Sequence, residues 1–383
     1  MEIEVKLELG KWFTFEPSKE KPIYNWFYYK EAFSPEIVEF AINNEAIRDV
    51  TVLDPFCGVG TTLLTAKRYG LSSIGFDISP LAVLASKVKC ENYSQEDLNE
   101  IKKFFSGLKA PSRDFSDEWQ FELFPPMLAF PKRNLNYLIF LRKEIDSLSN
   151  EKIRNFFMLA LLSIIPQVGI FIKDGGVLKI DKRKSAMPVK EAFTRKIKRM
   201  IRDLEAHEIV GPLPRVERAD ARVLPVKDET ADLIVTSPPY LNNVDYTKVY
   251  GLELSLMYLD KDITKKLRNE SIRSFITSNM PPPLGIPEEI GEIGYKIPVV
   301  GNYFADMEKV LHEIKRVLKS NAACYLIVSN SVIHGTEVFV DELIAAIAER
   351  LGMESEIIIG AERIADVKPR KIKIRESIVV MRK

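Results

Sequence analysis

Asp49-Val50-Thr51-Val52-Leu53-Asp54-Pro55-Phe56-Cys57-Gly58-Val59-Gly60-Thr61-Thr62 reads as a short apolar strand that breaks into a glycine turn and opens a helix. Gly58 and Gly60 permit a tight turn with close backbone approach to a ligand, and Thr61 or Thr62 can cap the helix that continues through Leu63-Leu64-Thr65-Ala66-Lys67-Arg68. Another strand, Ser73-Ile74-Gly75-Phe76, ends in Asp77-Ile78-Ser79-Pro80. A carboxylate about twenty residues past such glycines lies where the ribose hydroxyls of a nucleoside cofactor are held. Alternating strands and helices of this kind predict an α/β protein with a mostly parallel sheet.

Further along, Ala231-Asp232-Leu233-Ile234-Val235 has the composition of a buried parallel strand, and Thr236-Ser237-Pro238-Pro239-Tyr240 follows it. Ligands collect at that carboxyl edge in open α/β sheets. The two prolines fix the backbone so that a carbonyl points out of the turn. Ser237 places a hydroxyl beside that carbonyl, and Tyr240 offers a ring on which a base can stack. An aromatic amine held between two such acceptors bends out of conjugation and presents its lone pair. The competing reading is a Pro-Pro turn at a strand end with no chemical role.

The glycine turn, the Asp77 segment and the Ser-Pro-Pro-Tyr turn together resemble the S-adenosylmethionine-dependent amino-methyltransferases of nucleic acids. Also similar are Tyr28-Tyr29-Lys30-Glu31-Ala32-Phe33-Ser34-Pro35, Asn302-Tyr303-Phe304-Ala305-Asp306-Met307 and Arg316-Val317-Leu318-Lys319. The resemblance implies a Rossmann-like class I methyltransferase with a seven-stranded, mostly parallel sheet. It implies that Phe33 and Asp54 meet the methionine end of the cofactor, Asp77 the ribose and Asp220 the adenine amine. Phe56, Gly58, Gly60, Thr61, Thr62, Ile78 and Ala221 complete that set. Ser237, Pro238, Pro239 and Tyr240 would hold the target base. Serine at the head of this tetrapeptide is associated in the family mainly with N4 of cytosine, and Asp or Asn mainly with N6 of adenine. The chain is most similar to stand-alone archaeal members, for which a cytidine in ribosomal RNA is the implied target. The expectation therefore places RNA ahead of DNA, with a site-specific DNA enzyme (N4-cytosine or N6-adenine) as the alternative and a catalytically silent nucleic-acid binding module as the reading outside enzymology.

Composition agrees with an enzyme of this type. The chain has 383 residues and a formal net charge of +1, so contact with a polyanion must come from local patches. Cys57, Cys90 and Cys324 match no disulfide framework or zinc spacing, and His207, His312 and His334 share no ligand spacing, so no metal is expected. Carbon-5 methylation of cytosine, which needs a cysteine nucleophile, is set aside because Cys57 lies inside the glycine turn. No apolar run is long enough to cross a membrane and no signal-peptide core is present, so a cytoplasmic address is expected. Glutamine occurs only at Gln95, Gln120 and Gln167 while Lys, Glu and Ile abound, a bias expected of heat-adapted proteins. Oligomeric state is not legible.

Three regions are expected. Residues 1–91 form the cofactor half, 92–210 a mainly helical insertion that is the candidate nucleic-acid recognition region, and 211–383 the catalytic half. Within the insertion, Ser94 followed by Asp97 reads as a helix cap, 113–126 as an irregular aromatic loop, and 135–141 and 153–162 as helices. The basic stretch from Lys179 to Arg202 offers Lys182, Arg183, Lys184, Arg195, Lys196 and Arg199 to phosphates; a solvated helix face is the alternative. After the catalytic turn, Asn243 and Tyr246 are expected to share the base pocket, although this segment reads also as the cap of a helix starting near Val249. Residues 261–295 look like a long loop near the active face. The basic run from Lys368 to Arg375 reads either as a further phosphate grip or as a solvent-facing edge strand.

Overall fold

The computed structural model describes residues 2–45, 50–174, 176–207, 210–242, 244–277, 280–367 and 370–383. In chain order its strands are β1 (Glu2–Val5), β2 (Thr51–Asp54), β3 (Ser72–Asp77), β4 (Phe171–Asp174), β5 (Val177–Ile180), β6 (Arg215–Arg218), β7 (Ala231–Thr236), β8 (Leu318–Ser329), β9 (Ser331–Ile333), β10 (Thr336–Val338), β11 (Glu354–Val367) and β12 (Arg370–Arg382). The main sheet runs β1-β11-β12-β8-β7-β2-β3-β6, with β4-β5 and β9-β10 as small hairpins. From β6 to β8 every pairing is parallel, and β12 enters antiparallel between β8 and β11. The chain therefore has the expected Rossmann-like, mostly parallel fold.

Eight strands, and not seven, make the sheet among the described residues. The addition is β1, which pairs in parallel with Glu356–Ile359 of β11. An unpaired β11 would expose a row of backbone N–H and C=O groups, and β1 covers them.

Alternation along each strand sends neighbouring side chains to opposite faces. Val52, Leu233, Val235, Tyr325 and Ile378 pack with Phe33, Ile37, Val38 and Ala41 on one side. Leu53, Ile234, Leu326 and Val379 pack on the other with Phe304, Met307 and Leu311 of the helix Pro298–Val317 and Ile344 of the helix Val340–Arg350. Burial on both faces explains why these strands read as continuous apolar runs.

Residues 92–210 hold several helices together with the β4-β5 hairpin. Ser94 and Asp97 form a reciprocal capping box at the helix Gln95–Gly107: Asp97 N donates to Ser94 Oγ over 3.2 Å, and Ser94 N to Asp97 Oδ2 over 2.8 Å. Helices Lys132–Asp146 and Glu151–Ser163 contain the two periodic stretches. The basic stretch divides between β5 and the helix Val189–Ala206, which buries Val189, Phe193, Ile197 and Met200. One apolar cluster joins these helices to Leu63, Leu64, Leu81 and Leu84 of the cofactor half and to Leu252 and Leu256 after the catalytic turn.

One departure concerns the region downstream: residues 261–295 contain the helix Ile263–Glu270, so the loop begins later than expected. The described part of the run ending at Arg375 pairs antiparallel with β11 alone, β8 joining β12 only from Glu376, so it is the edge of the antiparallel pair that its alternation suggested; Lys368 and Pro369 lie outside the described residues. No helix among the described residues is long and apolar enough to cross a membrane.

Candidate active site

The strand order reverses at β2, with β3 and β6 on one side and β7 and β8 on the other. A crevice opens outside the carboxyl ends of strands at such a switch point. Here it is a cavity of about 310 Å³, the size of a small-molecule site. Its lining joins the glycine turn (Phe56, Gly58, Thr61), the two strand-end acids Asp77 and Asp220 with Ile78 and Ala221, Phe33, and the whole turn from Ser237 to Tyr240. The segments quoted above thus converge, although more than half the length of the chain separates Phe33 from Tyr240.

The two halves of the crevice are tied together below its floor. Asp54 ends β2 and is 1% exposed. Its Oδ1 accepts a hydrogen bond from Thr236 Oγ1 over 2.6 Å and one from Phe56 N over 3.1 Å. Thr62 Oγ1 donates to Val235 O over 3.1 Å. Asp54 and Thr62 therefore fasten the glycine turn to the catalytic turn and do not line the cavity, contrary to the expectation that they touch the cofactor. Burial pushes the Asp54 carboxyl up to about 7, against the opposing hydrogen bonds of Thr236 and Thr62.

Gly60 is also behind the wall. It sits at φ +81 as the residue before the helix Thr61–Arg68, and a Cβ there would meet Ser86 Oγ at 2.9 Å. No threonine side chain caps this helix, so the capping role expected of Thr61 or Thr62 is absent; the left-handed glycine turns the chain instead. Gly58, at φ +49, has only Phe56 O within reach of an added Cβ, at 3.9 Å, which leaves bare backbone facing the cavity.

Asp77 is oriented by backbone donors. Gly58 N approaches Oδ2 at 2.9 Å and Ser79 N approaches Oδ1 at 2.8 Å. Burial raises its carboxyl to about 6 in spite of these donors. Asp220 is gripped by the Arg222 guanidinium, with Nε shared between Oδ1 at 2.9 Å and Oδ2 at 3.0 Å and Nη2 donating to Oδ2 at 2.7 Å. A carboxylate so held keeps lone pairs free for a ligand. Bare glycine backbone and two acids at the ends of adjacent strands fit a nucleoside with ribose hydroxyls and an exocyclic amine.

On the other side, the Tyr240 phenol is hydrogen-bonded to Ser237 and pushed well above its ordinary range by burial, with the nearby Glu376 carboxylate adding to the shift. Tyr246 lines the same cavity, as do Tyr29 and Tyr250, whose rings stack at 4.5 Å. Tyr250 donates to Glu31 Oε2 over 2.7 Å, and burial raises the Glu31 carboxyl. Asp245 is a helix cap, accepting from Thr247 N at 3.0 Å and Lys248 N at 3.3 Å, next to Tyr246 in the cavity wall. Asn243 lies outside the described residues.

The basic stretch separates into two kinds of cation. Lys196 is turned inward to Asn25 O at 3.3 Å, and burial, with Arg199 nearby, lowers its ammonium to about 7. Lys184 donates to Phe171 O over 2.8 Å and to Pro166 O. These two are bound to backbone carbonyls and do not face a polyanion, contrary to the expectation. Lys182, Arg183, Arg195 and Arg199 are exposed; Arg183 forks onto Asp181 at 3.0 and 3.1 Å, Arg195 pairs with Glu191 at 2.8 Å, and Arg199 Nη2 donates to Lys19 O over 3.4 Å.

Glu270, Ser271, Ile272, Ser274 and Phe275 line the cavity from within 261–295, the segment expected near the active face. Arg363 and Glu376 also line it and were not picked out from the sequence; they reach it from β11 and β12, where no local pattern marks them. Among the described residues no group of three His, Cys, Asp or Glu could hold a metal ion.

Residues 6–87 match a family described as DNA methylase. The chain is 28% identical over 412 residues to the Type II methyltransferase M.BsoBI of Geobacillus stearothermophilus, covering 89% of this chain and 80% of that protein. It is 25% identical over 403 residues to the Type II methyltransferase M.AvaI of Anabaena variabilis, covering 90% and 82%. A shorter match, 33% identical over 153 residues, is to the Type II methyltransferase M.MjaII of Methanocaldococcus jannaschii, covering 38% of this chain and 28% of that protein.

Proposed function

Because the chain belongs to the S-adenosylmethionine-dependent N4/N6 amino-methyltransferases, we propose that it methylates the exocyclic N4 amine of a cytosine in DNA, at the turn Ser237–Tyr240. The carrying observation is that one cavity contains both this turn and the acids Asp77 and Asp220. DNA replaces the RNA target expected from the sequence; what supports it is the family description and the likeness of nearly the whole chain to Type II methyltransferases.

In this reading Asp77 accepts the ribose hydroxyls, Asp220 the adenine amine, and Phe33 with Phe56 and the Gly58 backbone border the methionine end. When bound, S-adenosylmethionine supplies a methyl group already activated on a sulfonium. The protein's own work is to prepare the nucleophile. Ser237 Oγ and the Pro238 carbonyl accept the two amine hydrogens, which withdraws the nitrogen lone pair from the ring and aims it. The proton lost from the methylated amine leaves through Ser237 to water. Tyr240 provides a stacking surface that offsets the few kcal/mol, roughly, of removing a base from its duplex. Exposed Lys182, Arg183, Arg195 and Arg199 hold phosphates and set position without reading sequence.

The test is nucleoside mass spectrometry after incubating the protein and S-adenosylmethionine with duplex DNA of mixed sequence and, separately, with total RNA. N4-methyldeoxycytidine from DNA is expected. Methylation confined to RNA, or N6-methyldeoxyadenosine alone, would overturn the assignment. Tyr240→Ala should lower turnover on DNA by at least about tenfold, the scale of one lost base stack, while cofactor affinity by calorimetry stays within a factor of two or so.

A further inference from the structure

We propose that Arg363 and Glu376 form a base-edge reading site that selects cytosine over adenine by presenting the Arg363 guanidinium to the adjacent O2 and N3 acceptors of the target base. This rests on the methyl-transfer reading of the cavity and extends it to the choice of base.

The hairpin formed by β11 and β12 does not end with the sheet. β1 leaves β11 at Ile359 and β8 leaves β12 at Glu376, while β11 and β12 go on pairing to Val367 and Arg370. β11 runs in the same direction as β7, so this two-stranded ribbon leaves the sheet at the carboxyl edge where Ser237 lies. Two of its residues line the cavity, Arg363 and Glu376. Glu376 pairs with Ala361 and Arg363 with Ile374, which makes Arg363 and Glu376 diagonal neighbours on one face of the ribbon.

Glu376 is 6% exposed, and Arg363 Nη2 lies 2.7 Å from its Oε2. That approach is foremost a charge contact, and among the described residues Oε2 accepts no well-aligned hydrogen bond. Two further ribbon cations are differently engaged: Lys373 pairs with Glu362, and Arg375 with Asp341 and Glu342. A buried carboxylate held this way is unfavourable unless it serves a neighbour. The neighbours here are Arg363, whose guanidinium it fixes, and Tyr240, whose phenol is raised partly by its charge.

The chemistry of the fork supplies the selection. A planar guanidinium donates two parallel N–H groups, which match two adjacent acceptors. Cytosine has such a pair, O2 and N3, next to the amine held by Ser237 and Pro238. Adenine has only N1 beside its amine, flanked by a C–H. The fork therefore makes two hydrogen bonds with one base and one with the other.

The test uses Arg363→Met, Arg363→Lys and Glu376→Gln in the full chain. Turnover at saturating mixed-sequence DNA is read as N4-methyldeoxycytidine, with cofactor affinity by calorimetry as the check on folding. Losing a bidentate base contact changes discrimination by about tenfold to a hundredfold. Arg363→Met is expected to lose that much in kcat with cofactor affinity unchanged. Arg363→Lys should recover little, because a point charge cannot replace a fork, and Glu376→Gln should lose part of the rate. Recovery by Arg363→Lys, or a loss confined to DNA affinity, would make Arg363 a phosphate contact and overturn the proposal. Wild-type protein that forms no N4-methyldeoxycytidine would instead refute the cytosine assignment itself.

Discussion

At the residue scale, Asp54 shows how a motif position acts through a neighbour. Its carboxylate is buried, bonded to Thr236, and raised from an ordinary 3.8 to about 7. Because the folded-state value lies above the unfolded one, the folded protein holds a proton that the unfolded chain has released between about pH 4 and pH 7. Stability from this group is full below the unfolded value and is lost as pH rises through the folded value. Asp54→Asn keeps an acceptor for Thr236 and removes the titration. The stability difference between wild type and variant should therefore move in favour of the variant by up to about 4 kcal/mol from pH 4 to pH 8, at about 1.4 kcal/mol per unit. Urea melts at several pH values check this, and parallel profiles would exclude the shift. Asp54 itself was legible in the sequence as part of the glycine turn. Its contact was not, because Thr236 is bonded to it across the sheet and spacing along the chain carries no trace of that pairing.

Elements couple the cofactor side of the crevice to its substrate side. Asp306, in the helix Pro298–Val317, is 1% exposed and accepts from Arg273 N at 3.1 Å, Arg273 Nε at 2.8 Å and Arg273 Nη2 at 2.6 Å. Arg222, which also grips Asp220, lies 3.3 Å from the same carboxylate. Burial pushes Asp306 up, but the Arg273 hydrogen bond and the charges of Arg222 and Arg273 prevail and hold it below the usual carboxylate range. The helix thus anchors the loop 271–275 beside the acid of β6. Residues 261–295 read as a loop near the active face; within it, the structure makes Arg273 an internal tie. Arg273→Ala should destabilise by about 3 kcal/mol, the low end for a broken buried pair since Arg222 remains. It should also weaken DNA turnover more than cofactor affinity, because 271–275 lines the cavity. Adding Asp306→Asn should raise the melting temperature again by removing the poorly paired charge. A single variant as stable as wild type would show that the loop is held by other contacts. Capping at Ser94 was legible because both partners lie within one turn, whereas the tie between Arg273 and Asp306 joins side chains thirty-odd residues apart and has no local signature.

For the whole molecule, the sequence marks an insertion at 92–210, and length alone invites treating it as a detachable recognition domain. The packing argues otherwise. Leu63, Leu64, Leu81 and Leu84 on the cofactor side share one core with Ile101, Leu138, Phe156, Phe157 and Ile197 of the insertion and with Leu252 and Leu256 beyond the catalytic turn. Trp26 Nε1 donates to Asp203 Oδ2 over 2.8 Å, fastening the N-terminal segment to the insertion's last helix. Periodicity predicted the helices around 135–141 and 153–162, but it could not show which apolar faces are shared, since that depends on packing between distant segments. Removing residues 92–210 would bare the six leucines of the sheet-side helices. At about 1.5–3 kcal/mol for each fully buried side chain, the loss is on the order of 10 kcal/mol. A domain's entire stability is of that size. The shortened chain, with Glu91 joined to Gly211 by a flexible linker, should therefore show no cooperative melt and no cofactor binding by calorimetry. A folded, cofactor-binding product would mean that the sheet covers those leucines by itself. The insertion would then be an appended recognition module, and exposed Lys182, Arg183, Arg195 and Arg199 could be transplanted with it.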